Sequence, residues 1–187
     1  GDEIIVADPT FSQYELHAVI EGAKVVKVPV KQSSGEMDLE AMLEAITAKT
    51  KIIWLCNPNN PTGTYLPQSL IRAFIEKVPT DVLVISDEAY QEYVTDEAIS
   101  TSLPLLETLS NIIVMRTFSK AYGLAGLRIG YAIIPTTVSR AFDIVRPPFN
   151  TSTIAQKAAI VALEDQAFIE HSVAVNQEEL AKWETFL

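Results

Sequence analysis

Residues 117–130 read TFSKAYGLAGLRIG and directly follow an apolar, β-branched run, IIVMR, at residues 112–116. A short run of this kind is typical of a strand that is covered on both faces of a sheet. Lys120 therefore lies just beyond a buried strand, among hydroxyl-bearing residues and flexible glycine backbone. Most lysines are solvated, but this setting places an amine beside groups that suit an anion. We interpret it as a site for imine formation next to a phosphate.

Strand-like and helix-like segments alternate on both sides of this stretch. Short apolar runs predict six strands, at residues 4–7, 24–30, 51–56, 81–86, 112–116 and 128–134. Helical periodicity is found at residues 11–22, 39–46, 67–78, 138–145, 154–163 and 168–187. This alternation predicts an α/β fold with one substantial core.

Apolar spacing also predicts which side chains face the core. In the first helix the spacing of Leu16, Val19 and Ile20 places them on one face. Residues 91–110 are less regular, and there the acidic residues read as a solvated face and residues 103–106 as a packing segment. These acidic residues are Glu92, Asp96 and Glu97.

Composition excludes several classes of function. A net charge of −10 and a pI near 4.6 oppose binding to nucleic acid, which requires clustered cations. Cys56 is the single cysteine, and His17 and His171 are far apart, so the sequence predicts no disulfide and no metal site. No apolar run reaches the roughly 20 residues of a membrane span. We expect a soluble, cytoplasmic protein that does not bind membranes.

Two further motifs follow predicted strands. Residues 57–63 read NPNNPTG after the third strand, and residues 87–90 read DEAY after the fourth. An Asn-Pro sequence alone usually indicates only a turn. An aspartate directly after a buried strand, however, is costly to bury unless a cation pairs with it. Since ligands collect at the carboxyl ends of parallel strands, these motifs and Lys120 are expected to form one site.

Together the three motifs resemble those of fold-type I pyridoxal-phosphate (PLP) aminotransferases, and most closely the histidinol-phosphate aminotransferase branch. The resemblance implies a three-layer αβα sandwich with a mostly parallel sheet, whose sixth strand runs antiparallel. It also implies that Lys120 is the catalytic residue, which forms the imine with PLP and then transfers protons. Asp87 would hold the pyridine nitrogen protonated, and Asn60 and Tyr90 would donate to the phenolic oxygen.

The resemblance implies cofactor contacts for four more residues. Phe11 matches the aromatic residue that stacks on the PLP ring. Thr117, Ser119 and Arg128 match contacts to the phosphate, for which hydroxyls and a guanidinium are suited. No metal ligand is expected.

The reaction implied is PLP-dependent transamination of histidinol phosphate with 2-oxoglutarate, by a ping-pong mechanism in a homodimer. We expect residues 1–150 to form most of the PLP-binding large domain and residues 151–187 to lead toward a small domain. The chain begins at Gly1 rather than methionine and matches only the middle of the family pattern. We therefore expect it to be a fragment of a longer enzyme, and whether the fragment is active by itself stays open at this point.

Alternatives remain open at this point. Aromatic or broad-specificity aminotransferases and PLP lyases share all of these motifs. A non-catalytic domain for assembly or regulation would use the same sheet without an imine at Lys120. A nucleotide-binding domain is less favoured, because the sequence has no Gly-x-Gly-x-x-Gly or P-loop pattern.

Overall fold

A computed structural model of the protein describes residues 1–96 and 101–186, and in these ranges six strands form one sheet. The strand order is β2-β1-β3-β4-β5-β6, with β1 to β5 parallel and β6 antiparallel to β5. The strands are β1 (Glu3–Asp8), β2 (Lys24–Pro29), β3 (Thr50–Cys56), β4 (Leu83–Asp87), β5 (Ile112–Thr117) and β6 (Gly130–Ile133). The predicted antiparallel sixth strand is confirmed.

Six α-helices connect or follow the strands within the same ranges. They are α1 (Gln13–Ile20), α2 (Leu39–Glu44), α3 (Gln68–Ile75), α4 (Thr136–Val145), α5 (Thr153–Glu164) and α6 (Gln166–Phe186). Short 3₁₀ helices occur at Gln91–Tyr93, Leu103–Glu107 and Ala125–Leu127. Glu97, which was interpreted as solvated, and Leu187, the expected last residue of α6, lie outside the described residues.

Side chains of the sheet alternate between two separate cores, because successive residues of a strand point to opposite faces. In β1, Ile5 and Ala7 pack with the larger core, which includes residues of α2 and α3. Ile4 and Val6 pack on the other face with Tyr14 and Ala18 of α1. Helices therefore cover both faces, and the predicted three-layer αβα fold with a mostly parallel sheet is confirmed.

The apolar face that the spacing indicates in α1 is not the buried face. Leu16, Val19 and Ile20 are 48%, 59% and 67% exposed, whereas Tyr14 and Ala18 are buried. Helical periodicity by itself favours the face that carries more aliphatic side chains as the one that contacts the sheet. In the structure the ring of Tyr14 packs against the sheet instead. It stacks on Trp54 of β3 with 4.2 Å between the ring centroids.

Parallel pairing brings the carboxyl ends of four strands to one edge of the sheet. The ladder between β3 and β4 extends to Asn57, whose N–H donates to the carbonyl of Asp87 at 3.0 Å. The ladder between β4 and β5 extends to Glu88, whose N–H donates to the carbonyl of Met115 at 3.0 Å. The segments after β1, β3, β4 and β5 therefore start side by side.

None of the helices in the described ranges is both long and apolar enough to cross a membrane.

Gly130 is required at the start of β6 by a close backbone contact. A Cβ built on this residue would lie 2.8 Å from the carbonyl oxygen of Arg116. We expect Gly130→Ala to push β6 away from β5 and to lower the free energy of unfolding by about 1–3 kcal/mol. Urea unfolding measures the change.

The matched control is Gly126→Ala. Apart from the neighbouring backbone, no atom lies within 4 Å of a Cβ at Gly126, so this variant should unfold like the wild type. Equal stability of the two variants would contradict the close contact at Gly130.

Candidate functional site

A cavity of about 660 Å³ lies at the carboxyl edge of the parallel strands, and we call it the site cavity. All eight residues that the sequence predicted for cofactor binding line it. They are Phe11, Asn60, Asp87, Tyr90, Thr117, Ser119, Lys120 and Arg128. Topology explains the convergence, because each residue lies in or shortly after one of the four adjacent parallel strand ends or at the turn into β6.

Asp87 ends β4 and presents its carboxylate to the site cavity. The phenol of Tyr14 donates to Oδ2 at 2.6 Å, and the N–H of Ala89 donates to Oδ1 at 3.1 Å. Burial raises the pKa of Asp87 above its ordinary value, although the bond from Tyr14 acts in the opposite direction. The two donors therefore stabilise the ionised carboxylate of Asp87, and a cation that enters the cavity would stabilise it further.

Tyr14 is held by aromatic contacts on two sides. Its ring stacks on Trp54 with an interplanar angle of 14°, and the ring of Phe11 meets it edge-on at 5.5 Å. Burial, together with the nearby Cys56 and Asp87, raises the pKa of the Tyr14 phenol. The phenol therefore stays protonated and available as a donor to Asp87.

Asn60, Tyr90 and Lys120 form a second group of polar side chains in the lining of the site cavity. The Asn60 side-chain amide donates to the Tyr90 hydroxyl at 3.2 Å. The Lys120 Nζ lies 5.2 Å from the centroid of the Tyr90 ring, which is within range of a cation–π contact. Lys120 is exposed, so its amine is accessible from the cavity.

Hydroxyls and a guanidinium occupy the end of the cavity nearest β5 and β6. The Thr117 hydroxyl accepts a bond from the N–H of Ser119 at 3.1 Å, which shapes the turn that carries Lys120. Arg128 has a left-handed backbone (φ 54°) and donates to the carbonyl of Ala125 at 2.8 Å. In sequence it was predicted to begin the sixth strand, but it lies in the turn before β6. Both Lys120 and Arg128 are exposed cations.

A second cavity, of about 700 Å³, adjoins the first. It shares Asn60, Tyr90 and Lys120 with the site cavity and extends to residues of α6, among them Asn176 and Glu184. Lys120 therefore has open space on two sides.

Arg116 forms a largely buried ion network at the edge of the site. Its guanidinium bonds Oε2 of Glu88 through Nε at 2.8 Å and through a terminal nitrogen at 2.7 Å, and Oε1 of Glu92 at 3.1 Å. Glu88 is only 2% exposed, and it also accepts from the Thr101 hydroxyl at 2.7 Å and from the N–H of Ser102. Every charged group of the network thus has a partner.

The interpretation of Glu92 as part of a solvated face is wrong. Its side chain is 10% exposed and pairs with Arg116. Burial raises the pKa of Glu92, while the nearby Arg116 acts to lower it. Sequence-local reasoning missed the partner because Arg116 lies 24 residues further along the chain.

Sequence reasoning did not single out Tyr14 or the Arg116 network. Two signals were present. Tyr14 lies three residues after Phe11, and residues at this spacing share a helix face. Arg116 is a charged residue within a buried strand, and such a residue needs a charged partner. Neither signal identifies the partner.

A family model described as aminotransferase class I and II matches residues 1–187. The chain is 53% identical over 186 residues to histidinol-phosphate aminotransferase 1 from Bacillus cereus, an alignment that covers 100% of this chain and 50% of that protein. The chain thus spans about half the length of the curated relatives it matches.

Two solved structures have a similar fold. One is histidinol-phosphate aminotransferase from Sinorhizobium meliloti in complex with pyridoxal-5'-phosphate, with a TM-score of 0.84 and 34% identity over 93% of this chain and 47% of that chain. The other is L-threonine-O-3-phosphate decarboxylase from Porphyromonas gingivalis, with a TM-score of 0.76 and 27% identity over 90% of this chain and 49% of that chain.

Replacement of the phenol that bonds Asp87 gives a pH-dependent prediction. Tyr14→Phe keeps the ring but removes the donor, so we expect the free energy of unfolding at neutral pH to fall by about 1–3 kcal/mol. Burial raises the folded-state pKa of Asp87 above its ordinary value. The free energy of unfolding therefore falls as the pH rises from the unfolded-state pKa of Asp87 to its folded-state pKa. The variant raises the folded-state pKa further and extends this loss to higher pH.

Urea unfolding of the cofactor-free protein across pH tests the prediction. The loss caused by Tyr14→Phe should be smaller at about pH 3, where Asp87 is more fully protonated. Tyr65→Phe is the control, since Tyr65 is 44% exposed and should have little effect. A loss from Tyr14→Phe that is the same at every pH would show that Asp87 is not the group involved.

Proposed function

Because the chain belongs to the aminotransferase class I and II family, we propose that the whole protein is a transaminase that uses PLP bound in the site cavity. The observation that carries the proposal is that Lys120 and the seven other residues expected from the sequence line one cavity. Their chemistry matches the groups of PLP: a carboxylate for the pyridine nitrogen, amide and phenol donors for the phenolic oxygen, and hydroxyls with a guanidinium for the phosphate.

Asp87 is suited to hold a protonated pyridine nitrogen. An ionised carboxylate has about four lone-pair sites, and Tyr14 and Ala89 use one on each oxygen. Capacity for a further donor remains. Burial raises the pKa of Asp87, and a cationic partner would lower it again. The carboxylate and the pyridinium therefore stabilise each other's charged form.

The remaining residues would orient the cofactor. Thr117, Ser119 and Arg128 are assigned to the phosphate, to which a guanidinium can make charge-assisted bonds. Asn60 and Tyr90, already in contact, are assigned to the phenolic oxygen. Phe11 is 41% exposed and is assigned to one face of the ring.

Lys120 is proposed as the catalytic residue. When bound, PLP supplies an electron sink for the pair left behind when the substrate Cα loses its proton. The Lys120 Nζ would accept this proton as a general base and would then hold it as a general acid. The adjoining cavity gives the amine room to move away from the reacting carbon and back.

For substrates we propose histidinol phosphate and 2-oxoglutarate. The 53% identity with the Bacillus cereus relative supports this choice, against 27% with the Porphyromonas gingivalis decarboxylase. Because the chain spans about half of its curated relatives, the proposal concerns the whole protein. A homodimer and a cytoplasmic location are part of it. The second candidate is an aromatic or broad-specificity aminotransferase, whose site the same residues would fit.

Covalent trapping tests the role of Lys120. We expect borohydride reduction after incubation of the whole protein with PLP to leave a pyridoxyl group on Lys120, identified by peptide mass mapping. Lys120→Arg should abolish the adduct. Lys51→Arg is the matched control, because exposed Lys51 lies near the amino end of β3, away from the site edge.

An adduct on other lysines but not on Lys120, or none at all, would refute PLP binding as proposed and favour a non-catalytic domain. The same experiment on residues 1–187 alone shows whether this part of the chain holds PLP by itself.

Substrate preference is tested on the whole protein with 2-oxoglutarate as acceptor. We expect kcat/KM to be higher for histidinol phosphate than for phenylalanine or tyrosine, with glutamate as the second product. A higher kcat/KM for the aromatic amino acids would favour the second candidate. Release of carbon dioxide from phenylalanine or tyrosine without consumption of 2-oxoglutarate would indicate a PLP-dependent decarboxylase, which is one kind of PLP lyase.

A further inference from the structure

The Arg116 network joins the two segments that carry most of the site. The backbone ladder between β4 and β5 reaches its last bond at Glu88, whose N–H bonds the carbonyl of Met115. Beyond this point one segment continues to Tyr90, and the other pairs with β6 and continues to Lys120. The guanidinium of Arg116 connects them at the place where backbone pairing between them ends.

The bonds of Arg116 are made close in sequence to functional residues of both segments. Glu88 directly follows Asp87, and Glu92 lies two residues after Tyr90. Arg116 itself directly precedes Thr117 and lies four residues before Lys120. A shift of the guanidinium would therefore change the distance between the Asp87–Tyr90 segment and the Thr117–Lys120 segment.

We propose that Arg116 is a positioning residue, which through Glu88 and Glu92 holds the Asp87–Tyr90 segment at a fixed distance from the Thr117–Lys120 segment. This inference rests on the proposed function, because the two segments would bind opposite parts of PLP. Arg116 also lines the site cavity, but each of its three guanidinium nitrogens bonds Glu88 or Glu92. It therefore acts through the backbone of its neighbours and not through a bond to the cofactor.

The geometry of the network favours a guanidinium over other cations. Arg116 bonds Glu88 through two nitrogens and Glu92 through a third, so a single planar group spans two carboxylates. An ammonium is a point charge on a flexible stem and does not reproduce this planar fork. Glu88 is in turn held by Thr101 and Ser102, which ties the network to a third segment.

A purely structural role is the competing interpretation, since loss of one member of a buried ion pair also destabilises a fold. The two interpretations predict different effects of substituting Arg116 on overall stability, local backbone motion and PLP binding. A structural role lowers stability as any core substitution of equal severity would. A positioning role loosens residues 88–93 and 117–123 and weakens PLP binding beyond what the stability loss explains.

The experiment compares Arg116→Gln and Arg116→Lys with two controls in the whole protein. Arg72→Gln removes a guanidinium whose ion pair with Glu76 is exposed at the surface. Ile75→Val and Ile75→Ala remove atoms from a side chain that is 1% exposed in α3 and bracket the range of stability loss. Thermal unfolding of the cofactor-free proteins identifies the Ile75 variant whose loss of stability is nearest to that of Arg116→Gln, and this variant serves as the stability-matched control.

Two readouts follow. The first is hydrogen exchange without PLP, which we expect to be faster in residues 88–93 and 117–123 of Arg116→Gln but not of a stability-matched Ile75 variant. The second is the Kd for PLP, which should rise about tenfold or more in Arg116→Gln, since small displacements of binding groups have effects of this size. Arg116→Lys should fall between, and Arg72→Gln should match the wild type.

Equal exchange and equal Kd in Arg116→Gln and the matched Ile75 variant would overturn the proposal. If Arg116→Gln does not fold, Glu92→Gln removes one arm of the network and should give the same pattern more weakly. If the wild type forms no Lys120 adduct, the proposed function fails. The exchange readout, which needs no PLP, then still decides whether Arg116 holds the two segments together.

Discussion

The site depends on the hydrogen bond from Tyr14 to the buried carboxylate of Asp87, and this bond depends in turn on how α1 packs on the sheet. A carboxylate at the end of a buried strand loses hydration, and burial raises its pKa. A phenol held at 2.6 Å by stacking on Trp54 compensates part of that loss. This requirement accounts for the buried face of α1: the helix directs an aromatic donor to the sheet and leaves its aliphatic residues exposed.

The cations near the site are of two kinds, one paired and mostly buried and the other exposed on the cavity wall. Arg116 is neutralised by Glu88 and Glu92 and lies mostly out of water, so its charge serves the scaffold. Lys120 and Arg128 are exposed cations on the cavity wall, free to meet an anionic ligand although the chain carries a net charge of −10. The local sign of charge, rather than the overall balance, therefore decides which ligand the cavity attracts.

Much of the fold could be predicted from local patterns, and the residues of the candidate site from the resemblance of three short motifs to those of a known family. Six apolar runs predicted six strands, and polar motifs directly after them predicted one shared edge, because parallel strands end together. What could not be predicted involves pairs distant in sequence. Tyr14 meets Asp87 across 73 positions and Arg116 meets Glu88 across 28, and no local spacing rule reaches that far.

The sequence by itself determined the strand and helix alternation, the α/β class and the residue types around Lys120, since these follow from periodicity and from motifs a few residues long. Only the tertiary structure decided which face of α1 is buried, that Glu92 is paired rather than solvated, and that Arg128 lies in a left-handed turn before β6. These outcomes depend on which groups meet when distant segments pack. Burial and pairing energies are properties of that assembled environment rather than of any one segment.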